Sequence, residues 1–310
     1  LFHLSCCTGA LRCRARAIVE RPELFFRQPV NHSFLRLAFR VGFVKFQQLN
    51  YFTSRVTRLC WRETRGRASH MGKTMSEMVD AAQFLARARS FRREVIEPNA
   101  NRWETERKQP VAALRQAADA GLMRLETPRA HGGFGHGFLT KLDFCEEMSR
   151  GDMAFVFSLI NTQNVAARLC ETEKAHYLKT HVPAILSAEK FAATALSEPG
   201  AGSDFAGIQT RAVRVAGGWE LTGTKGWITN ATIADYFVTY AQTDPEAGWR
   251  GIASFLVEAD RDGFKRLPAY ELAGGHAIGA GGFELESYFV PDENVLGGPG
   301  DGFKSAMKGV

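Results

Sequence analysis

Beyond residue 70 the chain has almost no cysteine, only Cys145 and Cys170. Two isolated thiols cannot build a disulfide framework, so both are expected as reduced core residues. No run of about 18 uninterrupted apolar residues occurs, which excludes a membrane-spanning helix of ordinary composition. The first 70 residues lack aspartate and hold a single lysine, Lys45, against 12 arginines and 3 glutamates. That segment alone is +10, while residues 71–310 carry 26 basic and 30 acidic side chains, or −4. The overall +6 therefore describes neither part, and nucleic-acid binding by the body of the protein is not expected. What is present is ordinary: 310 residues, 45% hydrophobic and 23% charged. This composition excludes a disordered chain, a collagen-like chain and a small disulfide scaffold, and the length suggests two domains.

The basic segment over 1–70 admits three readings. It is Arg-rich and acid-poor like a transit peptide, but has only four serines and no clear period. Arginines among aromatics such as Phe25, Phe26 and Phe46 would suit a nucleic-acid arm. The third reading is upstream sequence translated in frame, with the true start at Met71 or Met75. The missing aspartate, the scarcity of lysine and the unpatterned hydrophobicity favour the third, and the segment is left unassigned. Cytoplasmic localisation is expected on that reading, with the mitochondrial matrix as the alternative.

Residues 71–190 read as a helical domain. Ser76 can cap a first helix with Met78, Ala81, Ala82, Leu85, Ala88 and Phe91 on one stripe, ending before Pro98. Pro110 suits the first turn of a second helix, with Val111, Leu114, Ala117 and Ala118 on one face and Gly121 beyond its end. His131 to Gly137 is a glycine-rich loop. Residues 138–150 and 152–170 read as helices, the latter nearly apolar and so expected to be central. Glu173 to Leu186 gives another helix, interrupted at Pro183. From Phe191 the period changes. Ala212–Val215, Gly217-Gly218 and Trp219–Thr222 read as a hairpin, and strand-like runs follow at 236–241, 252–257 and 283–290. Segregated helices and strands predict an α+β protein: a helical domain, then an all-β, barrel-like middle domain over 191–298. After Gly302, Phe303, Ala306, Met307 and Val310 fall on one helical face. Residues 299–310 thus read as the start of a truncated C-terminal helical domain whose partner surface the sequence does not supply, and the chain is expected to be a fragment.

Two segments carry chemistry. In Ala195-Leu196-Ser197-Glu198-Pro199-Gly200-Ala201-Gly202-Ser203-Asp204, a strand is expected to end at Ser197. Its glycines then let backbone N–H groups approach a ligand. The turn lacks the G-x-G-x-x-G and GK[ST] spacings of nucleotide loops, and turn chemistry alone favours a plain interstrand loop with Ser203 or Asp204 as a cap. In Thr222-Gly223-Thr224-Lys225-Gly226-Trp227-Ile228-Thr229-Asn230, an aromatic and a hydroxyl near one another can pack on a flat ring and bond its edge. Alone, a tryptophan such as Trp227 is more often core than cofactor wall.

Together, ALSEPGAGSD and, about 30 residues later, GTKGWITN resemble the flavin-binding signature of the acyl-CoA dehydrogenase family. PRAHGGFG resembles the family's glycine-rich loop. Glu173-Lys174 with Tyr177-Leu178 resembles the entry to its β-domain, and VPDENVLG over 290–297 with Gly302-Phe303 resembles the exit. The match covers about residues 76–310, with its motifs in order.

The resemblance implies a flavoenzyme of three domains, with FAD between the β-domain and C-terminal helices and partly against a neighbouring subunit. It implies that Thr194 through Ser203, including Gly202, line the flavin. The Leu196 backbone and the Ser197 backbone and hydroxyl would bond the pyrimidine edge. Trp227 would pack beside the ring with Ile228 adjoining, and Thr229 would bond near N5. Ser203 would lie where the pyrophosphate and acyl-CoA substrate approach. Val156 and Phe157 would line the acyl tunnel. Implied partners are acyl-CoA, an electron-transfer flavoprotein and further copies of the chain; no nucleic acid, membrane or metal is expected. The implied reaction converts acyl-CoA to trans-2-enoyl-CoA, with a carboxylate removing the α-proton while a hydride leaves the β-carbon. The family's base is a glutamate of the C-terminal domain, so no catalytic residue is assigned in this chain, which alone is expected to be inactive. Glu198 belongs to the turn and is not nominated. An acyl-CoA oxidase, a flavin monooxygenase and a non-catalytic fragment are the alternatives. Gly274 to Gly282 stands where many members carry an Arg-Ser-Ser-like run, which leaves substrate class open. Within it His276 is a site candidate or, as the favoured reading, a solvated loop histidine.

Overall fold

The computed structural model describes residues Met75–Gly309. The expectations for 1–70, for Met71 and for Val310 lie outside the described residues. The described residues 75–309 belong to one compact unit. Helix α1 (Met75–Phe91) begins one residue ahead of the expected Ser76 cap and runs on through a π-helical segment, Arg92–Ile96. Its buried stripe contains Phe84, Ala88 and Phe91, whereas Ala82 is exposed. The stripe is thus rotated from the predicted one, because burying the large Phe84 ring outweighs burying Ala82. A short helix α2 (Ala100–Glu106) follows, which apolar periodicity did not reveal because its sole buried side chain is Trp103. Helix α3 (Val111–Asp119) has Pro110 as its N-cap and buries Leu114, Ala117 and Ala118 as predicted. Gly121 follows at φ 76°, a conformation suited to glycine.

Helices α4 (Phe138–Ser149) and α5 (Met153–Cys170) complete the layer. Asp152 caps α5 by accepting from Phe155 N at 3.0 Å. Phe155 is fully buried, stacking on Trp103 at 5.4 Å and on Phe91 at 6.1 Å. The predicted interruption at Pro183 does not occur. A π-helical segment, Tyr177–His181, leads directly into α6 (Val182–Leu186), and Pro183 sits in its first turn, where the missing N–H is harmless.

The strands form one mixed sheet in the order β6-β7-β3-β2-β4-β5-β8, with β1 paired parallel to β4. They are β1 (Ala192–Ala195), β2 (Arg211–Val215), β3 (Gly218–Ile228), β4 (Tyr236–Gln242), β5 (Ile252–Glu258), β6 (Phe264–Arg266), β7 (Gly281–Pro291) and β8 (Val295–Gly297). The hydrogen-bonded path does not close, so the barrel-like expectation becomes an open, curled sheet between edge strands β6 and β8. The β2–β3 hairpin turns on Ala216-Gly217, with Val215 opposite Gly218, one residue earlier than predicted. Gly217 takes φ 78° there.

Strands β4 and β5 are nearly continuous apolar runs because both faces are covered. Val238, Tyr240, Ile252 and Leu256 face a core shared with α5 and α6. Phe237, Ala241, Ala253, Phe255 and Val257 face the sheet interior with Leu221, Phe283 and Tyr288. The C-terminal helix α7 (Asp301–Gly309) finds its partner surface within this chain. Phe303 stacks on Phe205 at 5.6 Å and lies 5.4 Å from Trp249, and Ala306 is buried. A Cβ on Gly302 would come within 2.5 Å of the Ala253 backbone, so the absent side chain is what lets α7 lie on β5.

Candidate functional site

The site forms where β1 and β3 end side by side. Strand β1 stops at Ala195, two residues short of the predicted Ser197, and the chain turns through Glu198-Pro199-Gly200-Ala201. Glu198 N donates to Ala201 O at 2.9 Å and Ala201 N donates back at 3.2 Å, closing the turn. The Glu198 carboxylate points inward and is buried. Its Oε1 accepts from Thr210 N at 3.0 Å, Thr210 Oγ1 at 2.5 Å and Lys225 Nζ at 2.8 Å, and its Oε2 from Gln209 N at 2.7 Å. Burial by itself would raise this carboxyl. The Lys225 charge and the donated hydrogen bonds more than offset burial and hold it below its ordinary value. An acid so saturated with donors is a structural anchor and not a free base.

Lys225, on β3, is 0% exposed. Burial pulls its ammonium down to about 8 against the opposing charge of Glu198. Nζ also donates to Leu196 O at 3.3 Å. One residue on, Gly226 N donates to Ser197 O at 3.1 Å. The two sequence segments are therefore joined backbone to backbone and through one buried ion pair. Next comes Trp227 at φ 60°, 63% exposed, with its ring 4.5 Å from that of Tyr270.

Asn230 closes this segment and ties it to the helical domain. It is fully buried at φ 66°. Its Nδ2 donates to Ser158 O at 2.8 Å, Thr162 Oγ1 at 3.0 Å and Ala192 O at 3.3 Å. Its Oδ1 accepts from Gln109 Nε2 at 2.6 Å and Ser158 Oγ at 2.5 Å. Beside it, Asn161 Nδ2 of α5 donates to Thr229 O at 3.1 Å. The segment 227–230 is thus pinned from behind by α5, leaving the Trp227 face open.

Of the expected site residues, Thr194, Leu196, Ser197 and Thr229 are half-buried, while Gly202, Ser203 and Trp227 are exposed. The interstrand bonds bring Leu196 and Ser197 beside Gly226 and Trp227. Gly202 and Ser203 lie beyond the Glu198–Ala201 turn. A Cβ on Gly200 or Gly202 would meet nothing within 4 Å, so the turn presents open backbone to solvent. Two expectations need correction. Ile228 is only 2% exposed and its side chain sits in the sheet core, so just its backbone can meet a ligand. Val156 packs into the helical core and cannot line a channel. Phe157 is 56% exposed, on a surface where Met153, Phe138, Leu139 and Leu142 are also exposed.

His276 is not a solvated loop histidine. Its side chain is largely buried, with Nδ1 3.1 Å from Glu104 Oε2, and the same carboxylate accepts from Gly275 N and His276 N. It links the loop before β7 to α2. Sequence reasoning also missed Lys225, Asn230 and Tyr270 as parts of the site's frame. For Lys225 a signal existed, since a lysine inside the strand-like run Thr222–Ile228 needs a buried partner or an exposed edge. Tyr270 gave none, because a single aromatic in a loop has no periodicity. Cys145 and Cys170 are free thiols as expected, and no helix among the described residues is long and apolar enough to cross a membrane.

Comparison with known proteins agrees with this geometry. Residues 79–184 match the acyl-CoA dehydrogenase N-terminal domain and residues 193–288 the acyl-CoA dehydrogenase middle domain. The chain belongs to the acyl-CoA dehydrogenase family. It is 32% identical over 231 residues to the mitochondrial 2-methylacyl-CoA dehydrogenase of Solanum tuberosum, covering 74% of this chain and 56% of that protein. It is 34% identical over 218 residues to the glutaryl-CoA dehydrogenase of Desulfococcus multivorans, covering 69% of this chain and 56% of that one. Among solved structures, a glutaryl-coenzyme A dehydrogenase in complex with glutaryl-CoA superposes with a TM-score of 0.70 at 31% identity, over 76% of this chain and 60% of that one. The chain spans a little over half the length of these curated relatives.

Proposed function

We propose that this chain supplies the helical and β-domain part of an FAD-dependent acyl-CoA dehydrogenase that converts acyl-CoA to trans-2-enoyl-CoA. The observation that carries this reading is the junction of the two signature segments. Gly226 N on Ser197 O and Lys225 Nζ on Leu196 O put a polar strand end beside an exposed indole. A flat ring with one hydrogen-bonding edge and one apolar face suits such a surface, and the open backbone at Gly200 and Gly202 leaves room for a phosphate tail.

On this reading a bound FAD would supply the acceptor for the hydride that leaves the substrate β-carbon. The chain's own residues bind and orient. Leu196 and Ser197 would bond the pyrimidine edge and Thr194 would line the ring. Trp227 would cover one side, the Ile228 backbone would adjoin it, and Thr229 would bond near N5. Gly202 and Ser203 would meet the pyrophosphate, with Ser203 also reaching the acyl-CoA. Glu198 is engaged in the turn and removes no proton, so the general base is assigned to no residue described above. The electron-transfer flavoprotein as acceptor, homo-oligomeric assembly, and a cytoplasmic or mitochondrial-matrix location belong to this proposal as consequences of family membership.

The test is a titration of the purified 310-residue chain with FAD, followed by anaerobic addition of glutaryl-CoA and branched-chain acyl-CoA thioesters. Stoichiometric flavin uptake with quenching of tryptophan emission, a quenching that Trp227→Ala reduces, is the expected result. If the chain takes up no FAD, the flavin-site reading is lost. Bleaching by a thioester followed by rapid oxygen uptake would move the protein to the oxidase class.

A further inference from the structure

Lys225 is the one wholly buried ammonium among the described residues. Burial without a strong return is costly, and a lysine kept out of water usually holds something in place. Here Nζ has two partners, both in the segment that precedes the glycine turn: the Glu198 carboxylate at 2.8 Å and the Leu196 carbonyl at 3.3 Å. Glu198 is the only charged group facing it among the described residues. The Leu196 carbonyl and the Ser197 N–H belong to the same peptide unit. A cation on the oxygen of an amide draws electron density from its nitrogen and makes the N–H a stronger donor. The bonds that close the turn run through Ser197 O, Glu198 N, Ala201 N and the Glu198 carboxylate. The Ser197 amide is outside that set.

We infer that Lys225 is a positioning residue for the cofactor edge: its buried ammonium fixes and polarises the Leu196–Ser197 peptide, so that the Ser197 N–H favours a flavin whose pyrimidine edge carries negative charge. The inference rests on the flavin reading given above. Two-electron reduction adds negative charge to that edge, and a strengthened donor there favours the reduced form. Lys225 itself exchanges neither electrons nor protons with the substrate. Because its folded pKa lies near 8, the effect belongs to the protonated lysine and fades as the pH rises past that value.

The experiment compares the wild-type 310-residue chain with K225M and K225M/E198Q, using FAD itself as the probe. Affinity, the visible flavin spectrum and the midpoint potential are recorded from pH 6.5 to 9.5. In wild type, affinity is expected to be highest below pH 8 and to fall above it, with the potential falling more steeply over the same interval than the proton-coupled slope of free FAD. K225M is expected to bind FAD about tenfold more weakly, as for loss of a charge-assisted hydrogen bond. Its potential is expected about 30 mV more negative, the shift of a two-electron couple for a further tenfold loss of the reduced form, and between pH 7 and 9 its potential is expected to follow the proton-coupled slope of free FAD, with an affinity that does not change. K225M/E198Q covers the case in which K225M does not fold, since it leaves no lone buried charge. Wild-type chain that takes up no FAD overturns the flavin reading, and this inference with it. Wild-type chain whose FAD affinity is constant between pH 7 and 9 and whose potential follows the slope of free FAD, or a folded variant with unchanged potential, overturns the role of Lys225 alone.

Discussion

Replacing Asn230 tests whether the helical and β-domains are held in register by a buried polar latch. Asn230 is fully buried, and its amide makes five hydrogen bonds of 2.5 to 3.3 Å to Gln109, Ser158, Thr162 and Ala192. Asn230→Ala removes every one of them. Thr162 Oγ1 keeps its own bond to Ala192 O, and Gln109 keeps Ser158 Oγ and Thr232 Oγ1, so not every partner is orphaned. Ser158 O and one Gln109 proton lose their best partners. At about 1–3 kcal/mol for each of these two buried groups left unsatisfied, the side chain's loss costs about 2–6 kcal/mol. The backbone adds a second term. At φ 66° an alanine pays about 1 kcal/mol for its Cβ, whereas a glycine does not. Asn230→Gly is therefore expected to be destabilised by about 2–6 kcal/mol and Asn230→Ala by about 1 kcal/mol more. Both are large fractions of a typical 5–15 kcal/mol total. Urea unfolding followed by far-UV circular dichroism reads both values. A loss below about 1 kcal/mol for either variant, or an alanine variant more stable than the glycine variant, would refute the latch.

Three further outcomes follow from the geometry. Trp227→Ala should change stability by no more than about 1 kcal/mol, since the indole is mostly exposed and its main contact is the Tyr270 ring; on the proposed function it should still weaken FAD binding at least about tenfold in the same titration. Gly133→Ala should cost about 3 kcal/mol or more in urea unfolding, because the added Cβ would sit 1.8 Å from the Thr127 carbonyl oxygen, which is backbone and cannot rotate away. Glu147, Glu198 and Glu258 are all held below the ordinary 4.5. For Glu147 and Glu198 burial opposes the shift and neighbouring cations and donors outweigh it, while for Glu258 the His181 hydrogen bond leads. Their stabilisation is present above pH 4.5 and is lost as pH falls through their lower folded values, so the thermal midpoint should drop steeply below pH 4.5. A flat midpoint between pH 5 and 3 would refute that assignment.

Much of the architecture was legible because periodicity survives folding. The long helices α4 and α5 fall where expected, with 138–150 and 152–170 read against Phe138–Ser149 and Met153–Cys170. Runs at 236–241 and 252–257 became β4 and β5, because two-sided burial demands continuous apolar sequence. The misreadings occur where burial is decided by size or by a single contact. Phe84 displaced Ala82 from the buried stripe, α2 is anchored by Trp103 alone, and Pro183 proved harmless once it fell in a first turn. The site was legible in its motifs and not in its orientations. Ile228 and Val156 sit in segments with the expected residues, yet the strand and helix turn both side chains inward.

By itself, the sequence determined the division into helical and β regions, the family, and the two segments from which a flavin surface would be built. Each depends on local pattern or on residues that stay together along the chain. Only the tertiary structure decided that Glu198 is the buried partner of Lys225, that His276 binds Glu104 and not solvent, that Asn230 fastens the β-domain to α5, and that α7 rests on β5. Glu198 and Lys225 are 27 residues apart, Ser158 and Asn230 72, and Glu104 and His276 172. Pairings over such separations leave no period in the sequence. They form because a charge or amide removed from water must find its counterpart wherever the packed core brings one within reach.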